Sequence, residues 1–500
     1  MRILFIFFFS WTSLLFSKPD QNTFDSNFST YLRSSLEQFE TAGMAVAIIR
    51  DDELLYAEGF GVHSLVNRAP VTADTLFSMG SITKGFTTAL LGMLVDEGKL
   101  NWDDLVTQYL PDFRLHNSFV TKEFTILDLL THRSGLADHA GDLLFLSKNH
   151  PEMVERLRFL EPVSGFRAVF SYQNLMYLVA GQVIETITGK PWHEVLQERI
   201  LEPLGMHHTN LHPQTLEGNK NAVEGHARVD DLLYLVPWKR QVDFGPAGAL
   251  SASVMDMTRW MRFMLGDGTW NGKRLMSEEA MKHLLSYEMP VPFTEWVSMM
   301  YPTSHFLGYG LGWFSFDWHG QKVIEHGGNM PGLTAKLTLV PSEKLAILVV
   351  VNQHLSLLPH AITLYTLEHY HGIEPKNWSA FLYRLTKMVE QLSRTMERSI
   401  QAERKTGTQA SLSLSGYTGS YFSPLYGKVA VSRKGKDLVM SFDGALTADL
   451  QHWQDDTWRV HWRDLVPRFY PGKVLLNFHL SSTGQVTGLD IEQIGSFSRF

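Results

Sequence analysis

The chain contains no cysteine in its 500 residues. Disulfide bonds, thiolate nucleophiles, cysteine-ligated metals and cysteine-linked lipid anchors are therefore excluded. Basic residues are fewer than acidic ones, with 44 Lys and Arg against 52 Asp and Glu, and they form no cluster. We therefore expect no nucleic-acid partner. No HExxH pattern, phosphate-binding loop or dinucleotide fingerprint occurs, so we expect neither a metal nor another cofactor.

Long apolar runs are also scarce, and the N-terminus holds the most notable one. Arg2 precedes the apolar run Ile3–Phe16, which ends at Ser17 before a polar stretch. This run is shorter than the about 20 residues that a membrane-spanning helix needs. The pattern is typical of a signal peptide over residues 1–17 and predicts an exported protein, either periplasmic or secreted. An uncleaved signal would instead serve as a membrane anchor.

Residues 28–371 have the pattern of one α+β domain, in which strands are followed by helices and then by strands again. Met44–Ile49 and Leu54–Phe60 predict a β-hairpin around a turn at Asp51-Asp52. Because strands return at the end of the region, we expect the first and last strands to share one sheet. The predicted helices are Ser81–Glu97, Leu175–Thr188, Trp192–Ile200 and Leu357–Tyr370, and the predicted later strands are Tyr309–Phe316, Lys322–His326, Ala335–Val340 and Lys344–Asn352.

The remainder of the chain divides into a connecting part and a small all-β domain. Residues 372–415 predict a charged helix, Asn377–Arg404, and a polar linker. Residues 416–500 alternate apolar and polar side chains, which predicts an antiparallel barrel or sandwich. Its tryptophans favour a core role over a ligand pocket. The predicted strands are Val429–Ser432, Asp437–Phe442, Trp458–Trp462, Val474–Leu480 and Val486–Ile491, and the tryptophans are Trp453, Trp458 and Trp462.

A serine and a lysine at helical spacing form the first candidate for chemistry. Ser81 is the only serine in the chain that has a lysine, Lys84, three residues later. On a helix this spacing places both side chains on one face. A serine hydroxyl needs a base, and a lysine can serve if its pKa falls from about 10.4, through burial or through nearby positive charge. The backbone N–H of Ser81, at a helix start, could bind an oxyanion. A capping serine beside an exposed lysine is the alternative.

The second candidate is Tyr172-Gln173-Asn174, just before a predicted helix. A tyrosine near cations can titrate below about 10 and act as a general base toward Ser81. Asn174 could donate a hydrogen bond to a substrate amide or to Lys84. The alternative is a packed loop tyrosine followed by an asparagine that caps the helix.

The third candidate is His326-Gly327-Gly328-Asn329, at the end of a predicted strand. Two glycines allow a substrate to approach the backbone closely. The N–H of Asn329 could be a second oxyanion donor, and His326 could bind a carboxylate or relay a proton. A glycine-rich turn with an exposed histidine is the alternative. A further group, His207, His208 and His212, is interpreted as surface histidines because no metal-binding pattern accompanies it.

These three motifs, in this order, resemble those of class C β-lactamases and their relatives, the D,D-peptidases, D-aminopeptidases and family VIII esterases. Residues 125–136, 200–206 and 246–253 are similar to further segments of that group, so the resemblance covers about residues 28–370. It implies a β-lactamase/transpeptidase-like fold, with the active site between a mixed antiparallel sheet and a helical region. Residues 416–500 resemble the lipocalin-like β domain that is appended to some of these proteins.

The resemblance implies a serine hydrolase with Ser81 as nucleophile and Lys84 and Tyr172 as proton-transfer partners. Asn174 and residues 326–329 would contact the substrate. In true lactamases Lys-Thr-Gly replaces His326-Gly327-Gly328, and its ammonium and hydroxyl bind the lactam carboxylate. A histidine is mostly neutral at pH 7, which favours an ester or peptide substrate, including peptides with D-residues. A β-lactamase or D,D-carboxypeptidase, and a non-catalytic penicillin-binding type of protein, stay open as alternatives, as does a homo-oligomer.

Overall fold

The computed structural model describes residues 26–229 and 232–500. The predicted signal peptide, residues 1–17, lies outside the described residues. Across the described ranges, no helix is both long enough and apolar enough to cross a lipid bilayer. An α+β domain occupies most of the described chain, and a closed β-barrel follows it.

Helices and strands are numbered separately in chain order. The α-helices are Ser26–Gln38 (α1), Thr83–Asp96 (α2), Val106–Tyr109 (α3), Ser118–Glu123 (α4), Ile126–Leu130 (α5), His150–Arg156 (α6), Asn174–Thr188 (α7), Trp192–Leu196 (α8), Glu202–Leu204 (α9), Val254–Leu265 (α10), Glu278–Leu284 (α11), Glu295–Met300 (α12), Leu358–Tyr370 (α13), Trp378–Glu403 (α14), Leu414–Tyr417 (α15) and Leu465–Phe469 (α16). The strands are Gly43–Arg50 (β1), Glu53–Gly61 (β2), Phe77–Ser78 (β3), Thr209–Asn210 (β4), Gly225–Val229 (β5), Leu232–Val236 (β6), Ser251–Ala252 (β7), Thr269–Trp270 (β8), Lys273–Arg274 (β9), Met289–Pro290 (β10), Leu307–Tyr309 (β11), Phe314–Trp318 (β12), Gln321–Met330 (β13), Leu333–Val340 (β14), Leu345–Val351 (β15), Gly419–Ser423 (β16), Gly427–Lys434 (β17), Asp437–Phe442 (β18), Leu446–Gln454 (β19), Thr457–Trp462 (β20), Val474–Leu480 (β21), Val486–Ile491 (β22) and Gly495–Arg499 (β23).

The central sheet has the strand order β10-β11-β12-β13-β14-β15-β1-β2, and neighbouring strands are antiparallel. Met44 of β1 pairs with Val351 of β15, which confirms that the first and last strands share one sheet. Every residue of β1, β14 and β15 is buried. These strands are apolar along most of their length because helices cover both faces of the sheet.

The two faces of β1 show how the layers form, because successive side chains of a strand point to opposite sides. Ala45 and Ala47 pack in one core, with the helices that carry the candidate site, including α2 and α7. Met44 and Val46 pack in a second core, with α1, α13 and the start of α14. The sheet is therefore sandwiched between two helical layers, and the candidate site lies on the side of α2.

Two predictions for the later strands were wrong in detail. The predicted strand Tyr309–Phe316 is two strands, β11 and β12, because the turn at Gly310–Trp313 separates them and Gly312 has a φ of +86°. The His326-Gly327-Gly328-Asn329 motif lies inside β13 instead of at the end of a strand, because β13 pairs with β14 as far as Met330.

The predicted helix Trp192–Ile200 is helical throughout, but it changes to a π-helical turn at Gln197–Leu201.

The C-terminal domain is a closed barrel, β16 to β23, in which β16 also pairs with β23. The sequence-based prediction missed β16, β19 and β23. Strands β16 and β23 are rich in glycine and serine, so their apolar residues do not form a visible alternation, and closure of the barrel supplies their partners. Trp453, Trp458 and Trp462 are all buried, and the last two belong to the hydrophobic core.

The barrel packs against the α+β domain on the side that carries the candidate site. Lys148 forms an ion pair with Asp443 of the barrel. Arg156 donates to the carbonyl oxygens of Pro424 and Leu425 at 2.6 and 2.7 Å. A cavity of about 550 Å³ lies between the two domains, lined by residues of both, including Phe145, His150, Gln241, Asp464 and Val466. The two domains therefore form one packed unit.

Candidate active site

A glycine-dependent turn places Ser81 just before α2. Strand β3 leads into the 3₁₀ turn Gly80–Ile82, where Gly80 has a φ of +49°. A Cβ atom on Gly80 would lie 2.8 Å from the backbone nitrogen of Asn329, so the absence of a side chain lets β13 approach the turn closely. Ser81 remains partly exposed, as a nucleophile must be, while its neighbours are buried.

Lys84 lies one helical turn after Ser81 and is fully buried. Its Nζ atom donates to Ser81 Oγ at 3.1 Å, to Asn174 Oδ1 at 2.7 Å and to the carbonyl oxygen of Ala247 at 2.9 Å. These three acceptors use the three N–H donors of an ammonium group. The predicted serine–lysine pair is therefore in hydrogen-bonding contact, which the capping alternative does not require.

The surroundings of Lys84 disfavour its positive charge. Burial lowers its pKa to about 7, although the Asp142 carboxylate acts in the opposite direction. The rings of Tyr172 and Tyr177 lie 4.8 and 5.1 Å from Nζ, measured to the ring centroids, and enclose the amine. A substantial fraction of Lys84 is therefore neutral near pH 7 and able to accept a proton.

Tyr172 stands beside Ser81, but its pKa moves in the direction opposite to the one predicted. Burial raises the pKa of Tyr172 well above 10, while the nearby Ser81 hydroxyl lowers it only in part. The Tyr172 hydroxyl lacks a well-formed hydrogen bond to any described residue, so its contact with Ser81 is looser than a hydrogen bond. The ring packs on His132, with centroids 4.2 Å apart. Tyr172 is therefore a neutral phenol.

Asn174 begins α7 and connects Lys84 to Asp142. Its Oδ1 accepts from Lys84, and its Nδ2 donates to Asp142 Oδ2 at 2.7 Å. The prediction that Asn174 donates to Lys84 was therefore wrong, because the amine is the donor in this pair.

His326 lies at the site but is held in its neutral form. Its Nε2 is 3.1 Å from the hydroxyl oxygen of Tyr309, and its Nδ1 is 2.6 Å from the carbonyl oxygen of Gly327. Burial, assisted by the positive charge of Lys84, lowers its pKa to about 3. The buried ring therefore offers no positive charge for a substrate carboxylate, and the alternative of an exposed histidine is wrong.

The two glycines of this motif differ in their surroundings. A Cβ atom on Gly328 would lie 1.9 Å from the carbonyl oxygen of Met79, just before the Ser81 turn. A Cβ atom on Gly327 would meet nothing closer than the carbonyl oxygen of Ala335 at 3.8 Å. Gly328 thus permits the close approach of β13, whereas Gly327 does not contribute to it. The Asn329 side chain is exposed.

Several residues at the site were not singled out from the sequence. Asp142, His139, Tyr309 and the carbonyl oxygen of Ala247 all contact predicted site residues directly or through one hydrogen bond. The spacing of His139 and Asp142, three residues apart just after the similar segment 125–136, is a signal that could have drawn attention to them. No comparable signal marks Tyr309.

The remaining histidine group is not part of the site. His207, His208 and His212 are exposed, as the sequence predicts. Among the residues that the structure describes, no group of His, Asp and Glu side chains is arranged to hold a metal ion.

Comparison with protein families identifies the N-terminal domain. Residues 28–367, more than half of the chain, match the family model described as Beta-lactamase. The chain belongs to the Beta-lactamase family. Residues 403–498, which include nearly all of the barrel, match a second model described as a domain of unknown function, DUF3471.

Curated relatives support this membership of the Beta-lactamase family. The chain is 30% identical to Unguisins hydrolase ungD of Aspergillus violaceofuscus over 67% of this chain and 63% of the relative. It is 29% identical to Penicillin-binding protein 4 of Amycolatopsis lactamdurans over 60% of this chain and 77% of the relative. The alignment thus spans somewhat less than two thirds of the Aspergillus violaceofuscus protein.

A solved structure supports the fold of this Beta-lactamase family member over nearly its whole length. The octameric penicillin-binding protein homologue from Pyrococcus abyssi superimposes with a TM-score of 0.62 and 21% identity, covering 94% of this chain and 99% of that one. The predicted α+β fold class, with a β-lactamase/transpeptidase-like domain and an appended barrel, is confirmed.

Proposed function

We propose that this protein is a serine hydrolase that cleaves esters or peptides through an acyl-enzyme on Ser81. The observation that carries the proposal is the pair formed by Ser81 Oγ and the buried Lys84 Nζ, 3.1 Å apart. A lysine amine with a pKa of about 7 can take the proton of a serine hydroxyl at neutral pH. The family membership and the hydrolases among the relatives support the same class of reaction.

In the first half of the reaction, the substrate carbonyl is attacked by Ser81 Oγ while neutral Lys84 takes the hydroxyl proton. The Oγ–C bond forms, and the negative charge moves to the carbonyl oxygen. The backbone N–H groups of Ser81 and Asn329 would stabilise this oxyanion. As the bond to the leaving group breaks, the proton passes from Lys84 through the Tyr172 hydroxyl to the departing nitrogen or oxygen.

In the second half, a water molecule attacks the acyl carbon. Lys84, neutral again, accepts a proton from the water, and Ser81 leaves with a proton returned by Lys84. Tyr172 acts in both halves as a neutral hydroxyl, since burial disfavours its phenolate form. The structure therefore favours Lys84 over Tyr172 as the base, a choice that the sequence leaves open.

The surroundings of His326 and the names of relatives guide the proposal for the substrate. A neutral His326 supplies no charge for the carboxylate of a β-lactam, so we propose that esters and peptides are better substrates than penicillins. Two relatives carry the name Unguisins hydrolase. Two solved structures of similar fold are titled as a D-stereospecific amidohydrolase and a D-amino acid amidase. Peptides or amides with D-residues are therefore the first candidates.

The experiment compares four chromogenic substrates with the purified protein. They are p-nitrophenyl butyrate, the p-nitroanilides of D-alanine and L-alanine, and a chromogenic cephalosporin. Ser81→Ala should lose all turnover without a change in thermal stability. Ser298→Ala, at an exposed position of α12, is the matched serine control and should keep the rates of the unmodified protein.

The outcomes separate the alternatives. Ester or D-anilide turnover that disappears in Ser81→Ala supports the proposal. Fast cephalosporin turnover would favour a β-lactamase despite the neutral His326. Acylation of Ser81 that is detected by mass spectrometry and never released would favour the binding-protein alternative. Unchanged turnover in Ser81→Ala would refute the assignment of the nucleophile.

A further inference from the structure

A line of hydrogen bonds connects the protein surface to Lys84. The Nδ1 atom of His139 lies 2.8 Å from Asp142 Oδ2. Asp142 Oδ2 also accepts from Asn174 Nδ2 at 2.7 Å, and Asn174 Oδ1 accepts from Lys84 Nζ at 2.7 Å. The side chain of His139 is 46% exposed, whereas that of Asp142 is 5% exposed. The line therefore begins in water and ends at the candidate base.

The two oxygen atoms of the Asp142 carboxylate differ in their hydrogen bonding. Oδ2 accepts both hydrogen bonds, whereas Oδ1 is buried and has no hydrogen-bond partner among the described residues. Burying a carboxylate oxygen without a donor costs free energy. An amide side chain at this position could keep both bonds through its oxygen, would place an NH2 group where Oδ1 stands, and would lack the negative charge. The charge of Asp142, more than its hydrogen bonds, thus calls for an explanation.

We propose that His139 and Asp142 are positioning residues that set the protonation state of Lys84 through Asn174. The negative charge of Asp142 stabilises the ammonium form of Lys84, and the positive charge of His139 offsets part of that effect. This inference rests on the proposed function, in which the neutral amine of Lys84 is the base. It adds two residues that do not touch the substrate but that determine the pH range in which the base works.

The charges near these residues support this division of roles. Burial opposes a charge on His139, but the hydrogen bond and charge of Asp142 outweigh it and raise the pKa of His139. Asp142 likewise acts to raise the pKa of Lys84 against the effect of burial. Protonated His139 and Lys84 repel each other. A histidine with a raised pKa carries charge near neutral pH, where Lys84 also titrates.

The other titratable groups that face this line are neutral or exposed. His132 and His326 face Lys84, and burial lowers the pKa of each. The tyrosines that face Lys84 or Asp142 stay neutral because burial raises their pKa, and they are Tyr172, Tyr177 and, from the barrel, Tyr426 and Tyr470. Asp138, whose side chain is 66% exposed, lies 4.0 Å from His139 Nε2, and its charge raises the pKa of His139 less than Asp142 does.

Two substitutions should move the pH profile in opposite directions. In Asp142→Asn the charge that favours the ammonium form is lost, so the pKa of Lys84 falls and the acid limb of kcat/KM moves to lower pH. In His139→Gln the Asp142 charge is no longer offset, so the pKa of Lys84 rises and the acid limb moves to higher pH. Each shift should be about half a pH unit or more. If the two residues had a purely structural role, both substitutions would lower the rate without shifting the acid limb in opposite directions.

A second readout does not depend on turnover. The pH titration of the ¹³Cε resonance of Lys84, assigned as the signal missing from Lys84→Arg, reports the pKa of the amine directly. The pKa read from this titration should fall in Asp142→Asn and rise in His139→Gln. His305→Gln is the matched control, because His305 and Asp317 form a similar pair, 2.7 Å apart, in which His305 is 84% exposed.

The two proposals can fail separately. If the protein has no Ser81-dependent turnover but the Lys84 resonance shifts as expected, the hydrolase proposal falls and the His139–Asp142 proposal stands. If turnover depends on Ser81 but the two variants leave the titration of Lys84 unchanged, or shift it in the same direction, the His139–Asp142 proposal is overturned. A shift in His305→Gln equal to that in His139→Gln would also overturn it.

Discussion

Lys84 Nζ lies 3.1 Å from Ser81 Oγ and is enclosed between the rings of Tyr172 and Tyr177. The enclosure excludes water from the amine, which is the main reason that its pKa falls to about 7. A burial that would be costly for an ordinary lysine thus prepares this one to act as a base. Substitution of Lys84 and the pH profile of the reaction both test this relationship.

Replacing Lys84 with arginine should abolish turnover although the positive charge is kept. A guanidinium group stays protonated at every pH that the protein tolerates, so it cannot accept the Ser81 proton. We expect kcat/KM to fall by about 10³-fold or more. Steady-state kinetics measures the loss, and circular dichroism checks the fold. Lys322→Arg, an exposed lysine on β13, should leave the rate unchanged. Substantial turnover in Lys84→Arg would show that another group is the base.

The pH profile of the unmodified protein should have an acid limb near pH 7. The base works only when it is unprotonated, so kcat/KM should fall as the pH drops through the pKa of Lys84, about 7. Tyr172, whose pKa is raised, would not limit the rate in this range. Initial rates between pH 5 and 9 with p-nitrophenyl butyrate would check this. A profile flat down to pH 5 would argue against Lys84 as the base.

The glycines of β13 should respond differently to alanine. In Gly328→Ala the new Cβ atom would lie 1.9 Å from the Met79 carbonyl oxygen, so β13 must move away from the Ser81 turn. We expect a loss of about 1–3 kcal/mol in the free energy of unfolding and of most activity. Gly327→Ala is the matched control, since its nearest neighbour is 3.8 Å away. Thermal denaturation and ester hydrolysis of both variants test the expectation, and equal effects would contradict it.

Asp128 should be important for stability and should make it depend on acid pH. The buried carboxylate accepts from Arg133 Nε at 2.6 Å and from Arg167 Nη2 at 2.7 Å, and it caps α5 together with Thr125. Burial opposes its charge, but the Arg167 hydrogen bond and other donors outweigh it and lower its pKa. Asp128→Ala removes the shared acceptor of two arginines, which are 15% and 43% exposed and so become partly solvated, and it should cost about 1–3 kcal/mol.

The pH dependence of that effect has a definite sign. A carboxylate whose pKa is lower in the folded state stabilises the fold fully above its unfolded pKa of about 3.9, and this contribution is lost as the pH falls further. The stability difference between the unmodified protein and Asp128→Ala should therefore be constant from pH 5 to 7 and shrink below pH 4. Urea denaturation at several pH values measures it. A difference that grows toward acid pH would contradict the role of Asp128.

The three motifs were predictable because their chemistry is tied to short spacings. Three residues along a helix place Lys84 beside Ser81, and the structure brings Asn174 of the second motif to Lys84. The direction of the Tyr172 pKa shift was not predictable, because it comes mainly from burial by residues distant in sequence, such as His132, whose ring packs on that of Tyr172. Burial is a property of the assembled fold, whereas charge and spacing are visible in the chain.

The strand predictions succeeded where apolar side chains form a clear pattern, and they failed where a strand forms only because its backbone pairs with neighbouring strands. Strands β18, β21 and β22 match the predicted residues. Strands β16 and β23, poor in apolar residues, exist because closure of the barrel pairs Tyr421 with Arg499. The role of Asp142 was hidden for a similar reason, since its partner Asn174 lies 32 residues further along the chain.

The order of strands in the central sheet also has a consequence for biosynthesis. Strand β1 lies between β2 and β15, yet β15 follows it by nearly the whole length of the domain. During translation the apolar strand β1 of the β1–β2 hairpin stays unpaired along one edge, because its native neighbour β15 has not yet been made. The chain thus passes through a long interval in which it is exposed to aggregation, and its yield in a cell would depend on chaperones that hold this hairpin until Val351 has emerged from the ribosome.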